Sequence, residues 1–526
     1  MVLKTGIDGL DLVLDGCLRV PEDGSLFIAI LGGAGTGKTN LAMALAVRSL
    51  ENLQGRDNLV MYYSLDQSPG ELYEKLQHDM GFYGTAGDRR RLAGALERRN
   101  YAALVQAVKS SGADPGGENI LYLGSVRENL GQERITPESL FEMIDGDIEH
   151  FGRQTLKLGT ALKPRLVCID SVSLSMFDQQ SGVRRSLRLI REHLQQRRIH
   201  GVLVLESSEE DASRASYEAA EYAADVIIQL GYHRFGDHFK ERSIEILKAR
   251  HQFYYRGTHH FSIVGRSAEN QLRGARGQRA PGIHIYPSVP TLLSWIQYNT
   301  PAVAPAQAFL PMGFGGLRVL EHSANGLLGN VRSAEETLGL GLKFLSSTEH
   351  GSSLVISLKE TRLEIENLVE RRFPRLRNEH LRDRTLVLTF QPEYISSGKF
   401  LKDIHDFIEG KHRDGFGIER VLITNLAHLE WGFPLLKDAK ILVPWLVEYF
   451  KRRGITSLFL ESSIDFADRI PASSLIATTV DNLFAAFKNE ERLDVRVEHA
   501  LNLESHMPGV VVNARRDLEM RLGDDE

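Results

Sequence analysis

The stretch GGAGTGKTN, residues 32–40, carries the residue types and spacing most specific for one kind of chemistry. It contains the pattern Gly-x4-Gly-Lys-Thr, which is typical of a phosphate-binding loop. Glycines let the backbone turn closely around a polyphosphate, and a lysine at this place offsets the charge of the β and γ phosphates. The pattern therefore predicts a nucleoside triphosphate site whose binding residues are Gly32, Gly35, Thr36, Gly37, Lys38, Thr39 and Asn40.

Two carboxylates follow apolar runs elsewhere in the same half of the chain. Asp170 closes the run in PRLVCIDS, and Asp66 follows the run in LVMYYSLD. Ligands of open α/β sheets bind beyond the carboxyl ends of the strands, so Asp170 is predicted to hold Mg²⁺ together with the Thr39 hydroxyl. Asp66 is the candidate for orienting a water in hydrolysis. The structural alternatives are a helix cap for Asp170 and a turn residue for Asp66.

The elements that must position these residues are visible as apolar runs. SLFIAILGG, LVMYYSLD, PRLVCIDS and HGVLVLES are nearly continuous apolar segments, and they alternate with helical patterns such as VRRSLRLIREHLQQRRI. Runs of this kind need burial on both faces, which predicts a mainly parallel twisted sheet with helices on either side. The strand before the phosphate loop and the helix after it are the context that such a loop requires.

A chain of 526 residues is too long for one hydrophobic core, so two domains are expected. The Pro- and Ala-rich segment 299–313 is interpreted as a linker between a domain at 1–298 and a domain at 314–526. Both sides show a similar order of elements, which indicates a duplication. A helical insertion is predicted around 84–138; its arginines form either a solvated face or a contact for a partner or nucleic acid.

Bulk properties narrow the class of protein. The 63 basic and 69 acidic residues give a net charge of −6, which argues against a dedicated nucleic-acid or membrane-surface binder. The two cysteines, Cys17 and Cys168, are too few for a disulfide scaffold or a zinc site. No apolar stretch reaches the length of a membrane span. The sequence therefore predicts a cytoplasmic protein without a membrane contact.

Several motifs in order resemble the KaiC-like branch of the RecA-type P-loop ATPases over roughly residues 4–290. They are TGIDGLDLVLDGCL, LGGAGTGKTNLAMALA, YYSLDQSPGEL, RLVCIDSVSL, AADVIIQL and RSIEILKARHQFYYRGTHHFSI. The resemblance implies two tandem RecA-like α/β domains and ATP with Mg²⁺ bound between the subunits of a homo-oligomeric ring, commonly a hexamer. Lys248 and Arg250 occupy the Lys-x-Arg positions that reach the ATP site of the neighbouring subunit in that family.

One departure from the family bears on turnover. The family usually has two adjacent acidic residues where this chain has Asp66 and Gln67. One acid is therefore shortened and the other is neutral. ATP binding is expected, and hydrolysis is expected to be slow.

The second half follows the course of the first but lacks its chemistry. In the segment 326–333, Val331 and Arg332 stand where a phosphate loop would have Gly and Lys. Lys359 and Asn425 align with the two acids of the first half, and LDVRVEHALN has no Lys-x-Arg pair. We expect a RecA-like pseudo-ATPase domain without a functional phosphate loop, which serves as a scaffold, a ring interface or a partner surface.

The function expected from these features is ATP hydrolysis at subunit interfaces that regulates a protein partner, in signalling, timing or defence. A DNA-handling recombinase or helicase-like motor is one alternative, although it requires a basic channel with aromatic platforms. Nucleic acid is therefore a possible partner but not the favoured one. The other alternative is a structural ring that ATP stabilises without significant turnover.

Overall fold

The computed structural model divides the chain into two compact units, Met1–Thr291 and Leu292–Glu526. The structure describes residues 2–22, 24–52, 58–78, 120–126, 136–156, 163–173, 179–206, 210–235, 239–264, 282–299, 303–330, 334–347, 351–373, 384–390, 395–426, 428–429, 436–463, 474–489, 492–504 and 511–513. Among these residues, no helix combines the length and apolar character that crossing a membrane requires.

The N-terminal unit is an α/β unit. Its strands are β1 (Val2–Leu3), β2 (Leu18–Arg19), β3 (Phe27–Gly32), β4 (Asn58–Ser64), β5 (Ile120–Ser125), β6 (Lys163–Ser173), β7 (His200–Glu206), β8 (Val226–Phe235), β9 (Phe239–Ala249), β10 (His259–Val264) and β11 (Gly282–Tyr286). Its helices are α1 (Leu10–Val13), α2 (Lys38–Asn52), α3 (Pro69–His78), α4 (Pro137–Leu156), α5 (Gln179–Gln196), α6 (Glu210–Ala223) and α7 (Val289–Asn299), the last of which crosses the boundary between the units.

A nine-stranded sheet forms the centre of this unit, in the order β11-β10-β9-β8-β3-β7-β6-β4-β5. The strands from β8 to β5 in this order are parallel, and β9, β10 and β11 are antiparallel. Strand β3 is buried along its whole length, with Ile28 and Ile30 in one apolar cluster and Ala29 and Leu31 in another. Because successive side chains of a strand point to opposite faces, an uninterrupted apolar run fits a strand that is covered on both faces.

The C-terminal unit repeats this architecture. Its strands are β12 (Phe309–Pro311), β13 (Arg318–Leu320), β14 (Ala324–Asn330), β15 (Ser352–Ser357), β16 (Thr385–Thr389), β17 (Ile418–Thr424), β18 (Thr456–Ser463), β19 (Asn482–Asn489), β20 (Arg492–Ala500) and β21 (Val511–Asn513). Its helices are α8 (Ala334–Ser346), α9 (Arg362–Arg372), α10 (Ser397–Arg413) and α11 (Leu436–Arg452).

The second sheet has the same strand order as the first. Its eight strands run β16-β15-β17-β18-β14-β19-β20-β21, which matches β5-β4-β6-β7-β3-β8-β9-β10 strand for strand. Each unit also begins with a two-stranded sheet, β1-β2 in one and β12-β13 in the other. The fold prediction, two tandem RecA-like α/β domains, is confirmed by these two large and mainly parallel sheets.

Individual elements also agree with the sequence patterns. The predicted strands before and after the phosphate loop are β3, β4, β6 and β7, and the predicted helical pattern is α5. Helix α5 buries Val183, Leu187, Ile190 and Leu194, a spacing of three and four residues that lies on one helix face. The segment 299–313 includes β12, and the boundary of the units lies at Thr291 and Leu292.

Part of the predicted helical insertion around 84–138 cannot be placed. Residues 79–119 and 127–135 lie outside the described residues, and with them lie Arg89, Arg90, Arg91, Arg98 and Arg99. Within the range, residues 120–125 form β5, which pairs with β4 at the edge of the sheet.

Candidate functional site

The phosphate loop lies where β3 ends and α2 begins. Strand β3 ends at Gly32, α2 begins at Lys38, and residues 33–37 form the turn between them. A side chain at Gly32 would place Cβ 2.6 Å from the Leu230 carbonyl oxygen, which is too close for any residue but glycine. Gly37 has φ of 102°, in the left-handed region that glycine favours. Local backbone geometry therefore explains the glycines of this loop.

The loop is held by its own polar groups. The Thr36 hydroxyl and the Lys38 ammonium each donate a hydrogen bond of 2.8 Å to the Gly33 carbonyl oxygen. Burial lowers the pKa of Lys38, and the negative charges of Glu206 and Asp170 oppose that shift. Lys38 is thus a partly buried cation whose charge faces two carboxylates and the mouth of the loop.

Asp170 is the buried carboxylate of the site. The Tyr62 hydroxyl donates a 2.5 Å hydrogen bond to Asp170 Oδ2, and the Thr39 hydroxyl also bonds to this carboxylate. Burial raises the pKa of Asp170, while the bonds from Tyr62 and Thr39 act against the rise. Its other oxygen, Oδ1, is buried and has no hydrogen-bond partner within the described part of the chain.

That unpartnered oxygen indicates whether a divalent cation fits the site. A buried carboxylate oxygen normally has a hydrogen-bond donor or a cation beside it. Mg²⁺ is bound in proteins by one or two oxygen side chains together with phosphates and waters. Asp170 Oδ1 and the adjacent Thr39 hydroxyl are the oxygen donors that such a cation needs, so the residues present fit Mg²⁺.

Asp66 lies at the exposed rim of the same site. The Ser171 hydroxyl donates a 3.0 Å hydrogen bond to Asp66 Oδ2. The Ser64 hydroxyl oxygen accepts bonds from the backbone N–H groups of Asp66 and Gln67, which fixes the turn after β4. Gln67 Oε1 is buried without a hydrogen-bond partner among the described residues.

These groups line one cleft of about 430 Å³ at the carboxyl edge of the parallel strands. Its lining is shared by the loop, the strand ends and the neighbouring hairpin: Ala34, Gly35, Gly37, Lys38, Thr39, Asn40, Ser64, Asp66, Gln67, Lys75, Asp170, Ser171, Glu206, Arg242 and Ile263. The fold therefore brings together most of the residues that the sequence singled out. Gly32 and Thr36 shape the loop from behind.

Lys248 and Arg250 lie apart from this cleft, as far as the described residues show. Both side chains donate to the Glu221 carbonyl oxygen near the end of α6, with Arg250 at 3.5 Å. Arg250 also lies 3.8 Å from Asp225, which binds Arg191 at 2.9 Å. Cations are stabilised at the C-terminal end of a helix, which explains why two of them are tolerated side by side.

The residues that sequence reasoning missed include Glu206, which lines the cleft, and Tyr62, which is fully buried and bonds to Asp170. Tyr62 reads as one more core residue of an apolar strand, and nothing local marks it as the partner of Asp170. Glu206 closes the run HGVLVLES as Asp170 closes PRLVCIDS, so the same signal was present in the sequence. The pairing of β4 with β6 identifies Tyr62, and the position of β7 between β3 and β6 identifies Glu206.

At the corresponding edge of the C-terminal unit, side chains of the unit itself hydrogen-bond to one another. The Glu360 carboxylate accepts hydrogen bonds from the Asn425 amide at 2.6 and 2.7 Å and from the Ser357 hydroxyl at 2.9 Å. Lys359, one residue earlier, donates its backbone N–H to Ser357. A half-buried carboxylate satisfied in this way needs no external cation.

The register of the strands corrects one alignment between the halves. Ser64 pairs with Asp170 in the first sheet, and Ser357 pairs with Thr424 in the second. Thr424, and not Asn425, therefore takes the position of Asp170. Structurally equivalent residues are those with equivalent partners in the neighbouring strand, and similarity of residue types does not identify them. Residues 331–333, which include Val331 and Arg332, lie outside the described residues.

Comparison with known proteins adds a family to this geometry. Residues 129–269 match the family model of the KaiC ATPase. The matched range contains Asp170, Lys248 and Arg250 but begins after the phosphate loop, whose assignment depends on its motif and its conformation. Comparison with curated proteins found no match. The predicted resemblance to the KaiC-like, RecA-type P-loop ATPases is confirmed.

Proposed function

We propose that this chain, whose N-terminal unit carries a KaiC-like P-loop ATPase domain, binds ATP with Mg²⁺ in the cleft at Lys38 and hydrolyses it slowly within a homo-oligomeric ring. One observation carries this proposal. A phosphate loop, a lysine and a buried carboxylate with an unpartnered oxygen all face the same cleft. The loop and its lysine follow β3 and Asp170 lies near the end of β6, so a shared ligand explains why they converge.

Binding follows from the loop and the helix behind it. The turn 33–37 and the first turn of α2 direct backbone N–H groups at an anion, and the helix dipole adds to their attraction. Lys38 would leave the Gly33 carbonyl oxygen for the β and γ phosphates, since an anion is a stronger partner for an ammonium than a neutral carbonyl.

Asp170 and Thr39 would hold the cation, directly or through a water. Bound Mg²⁺ supplies neutralisation of charge on the phosphate oxygens as the terminal bond breaks. Tyr62 keeps the Asp170 carboxylate in one orientation, so that the unpartnered Oδ1 stays directed at the cleft. Asp66, at the rim, would orient a water toward the γ phosphate.

Lys248 and Arg250 would act on the ATP of a neighbouring subunit. In their own subunit they contact the end of α6 and not the cleft, although their charges are suited to phosphate. Loss of the γ phosphate would then weaken the contact between subunits and change the packing of the ring. We propose that this change regulates a protein partner.

The C-terminal unit is proposed to contribute structure without ATP chemistry. Its edge is occupied by the bonds of Glu360, and it has no carboxylate at the position of Asp170. A unit that retains the sheet but lacks the ligand groups is suited to a ring interface or a partner surface.

The test separates ATP binding, assembly and turnover. Phosphate release and solution mass, with and without ATP and Mg²⁺, are measured for the parent, Lys38→Ala and Arg250→Ala, with Arg188→Ala as a surface control because its guanidinium pairs with Glu192 on α5. We expect Lys38→Ala to lose ATP binding. Arg250→Ala should still bind ATP but should lose turnover.

Mixing the two inactive variants tests the shared site directly. Some sites of a mixed ring combine the phosphate loop of an Arg250→Ala subunit with Arg250 of a Lys38→Ala subunit, so activity should return. No recovery in demonstrably mixed assemblies would contradict catalysis between subunits. ATP-dependent assembly with equal background phosphate release in every variant would identify a structural ring, an alternative that Gln67 in place of an acid favours.

A further inference from the structure

Glu206 is a carboxylate of the cleft that the proposed function has not yet used. It ends β7, the strand between the phosphate-loop strand β3 and the Asp170 strand β6. Its backbone pairs with Gly32 on one side and Ser173 on the other. The strand order therefore places Glu206 between the loop that receives the phosphates and the strand that carries the buried acid.

The surroundings of Glu206 differ from those of the other two acids. Tyr62 and Thr39 bind Asp170, and Ser171 binds Asp66. The half-buried Glu206 carboxylate lines the cleft, and within the described residues no hydrogen bond or ion pair engages it. Its charge acts on Lys38 more strongly than that of Asp170 does.

The second unit has a glutamate near the end of the equivalent strand, and that glutamate has a structural role. The segments VLESS and FLESS end β7 and β18, which hold the same position in their sheets, but the register offsets the two glutamates by one residue. Glu206 pairs with Gly32 of β3, whereas the corresponding Gly329 of β14 pairs with Ser462, so Glu461 takes the position of Leu205. Glu461 is 8 % exposed, and its carboxylate accepts bonds from the Ser474 hydroxyl at 2.8 Å and the Leu475 N–H at 3.4 Å. Glu461 is thus bonded to a loop of its own unit, whereas Glu206 lines a cleft.

A carboxylate directed at a triphosphate is repelled unless something positive or hydrogen-donating lies between them. Asp170 is already committed to the side of the cleft where Thr39 lies, and Asp66 is engaged at the rim. A water between Glu206 and the γ phosphate would separate the two anions, donating a hydrogen bond to Glu206 while it presents its oxygen to phosphorus. This is the arrangement that general-base catalysis requires.

We propose that Glu206 accepts the proton of the attacking water and orients this water together with Asp66, a role that rests on the proposed ATPase function. The water oxygen forms a bond to the γ phosphorus as the bond from that phosphorus to the β–γ bridging oxygen breaks. ADP leaves with the electron pair, and the water proton passes to a carboxylate oxygen of Glu206. Glu206 thereby supplies the acid that is missing at Gln67, and Asp66 assists from the rim.

Glu206→Gln tests this role because it removes the basic oxygen and keeps the size of the side chain. We expect phosphate release in a single turnover to fall by about 100-fold or more. Affinity for a fluorescent ATP analogue should be unchanged or higher, since a negative charge near the phosphates is lost. The dependence of that binding on Mg²⁺ should not change.

Two further variants serve for comparison. Asp66→Asn should lose less than about tenfold in turnover, because general-base catalysis itself supplies 10²–10⁴-fold and Asp66 only assists. Glu461→Gln matches Glu206→Gln in residue type and lies in the equivalent strand, one residue before the position of Glu206. It should lower the stability of the C-terminal unit and leave turnover unchanged, because Glu461 is bonded within its own unit.

The outcomes separate this proposal from the proposed function. Turnover of Glu206→Gln within threefold of the parent overturns it. A loss of turnover matched by an equal loss of analogue binding, or a large change in the Mg²⁺ requirement, also overturns it, because Glu206 would then be a structural residue or a cation ligand. A parent that binds ATP but releases no phosphate refutes the role of Glu206 and leaves ATP binding standing. A parent that binds no ATP refutes both.

Discussion

Tyr62→Phe isolates the contribution of one hydrogen bond to the cation site. The substitution removes only the hydroxyl that donates 2.5 Å to Asp170 Oδ2, and the ring remains in the apolar cluster. A hydrogen bond to a charged group contributes about 1.5–3 kcal/mol. Loss of a group that orients a metal ligand typically weakens metal binding by about 10–100-fold. We therefore expect the Mg²⁺ concentration needed for half-maximal binding of an ATP analogue to rise by about 10–100-fold.

The neighbouring residue supplies a matched control. Tyr63 is equally buried on the same strand, and its hydroxyl donates a 3.0 Å hydrogen bond to Asp147 on the opposite face of the sheet. Tyr63→Phe also removes a Tyr–Asp bond, so it should lower the free energy of unfolding by a comparable amount of about 1–3 kcal/mol. Its Mg²⁺ requirement should equal that of the parent.

The assay is a MgCl₂ titration at a fixed concentration of a fluorescent ATP analogue, with urea unfolding of each variant in parallel. A Tyr62→Phe variant that keeps the Mg²⁺ affinity of the parent while it loses stability would contradict a role of this hydrogen bond in the cation site. An equal loss of Mg²⁺ affinity in both variants would also contradict that role, because general loosening of the sheet would then explain the effect.

Three further predictions concern other parts of the chain. Gly37→Ala should weaken binding of the ATP analogue by more than about tenfold, while the circular dichroism spectrum stays unchanged. Gly37 has a left-handed backbone conformation, which is unfavourable by about 1–2 kcal/mol for other residues. The new Cβ would also lie 3.1 Å from Ile263 Cδ1. Arg420→Met removes hydrogen bonds of 2.5–2.9 Å to Pro311, Phe344 and Ser347. It should lower the free energy of unfolding of the C-terminal unit by about 3 kcal/mol, measured by urea unfolding. ATP binding should be unchanged. Burial lowers the pKa of four histidines to about 4: His200, His259, His260 and His405. The free energy of unfolding should fall as the pH drops from about 6.5 toward 4, because these histidines bind protons in the unfolded chain and stay neutral in the folded chain. Each buried histidine should lower the free energy of unfolding by about 2 kcal/mol at pH 5, measured by urea unfolding.

The parts of the site that were predictable are those that the chain builds from consecutive residues. The phosphate loop needs glycines where the backbone takes a positive φ or passes close to Leu230, so the glycines of the motif indicate the conformation of the loop. The apolar runs report strands that are buried on both faces. Asp170 and Asp66 could be singled out because each follows such a run.

The contacts between these parts were not predictable from one sequence. Tyr62 and Asp170 are separated by 108 residues, and only the pairing of β4 with β6 brings them together. Asn425 was aligned with Asp170, yet the register gives that place to Thr424. A shift of one residue in the register exchanges the two faces of a strand, and the order of residue types does not reveal such a shift.

The amino-acid order thus determined the elements, the duplication and the chemistry of the loop, because backbone sterics and side-chain periodicity act over a few residues. The tertiary structure decided which acids share the cleft with Lys38. It also decided that Glu360 is hydrogen-bonded to Asn425 at the corresponding edge of the C-terminal unit. Those outcomes depend on strand order and register, which are set by burial over the whole sheet and not by any local pattern.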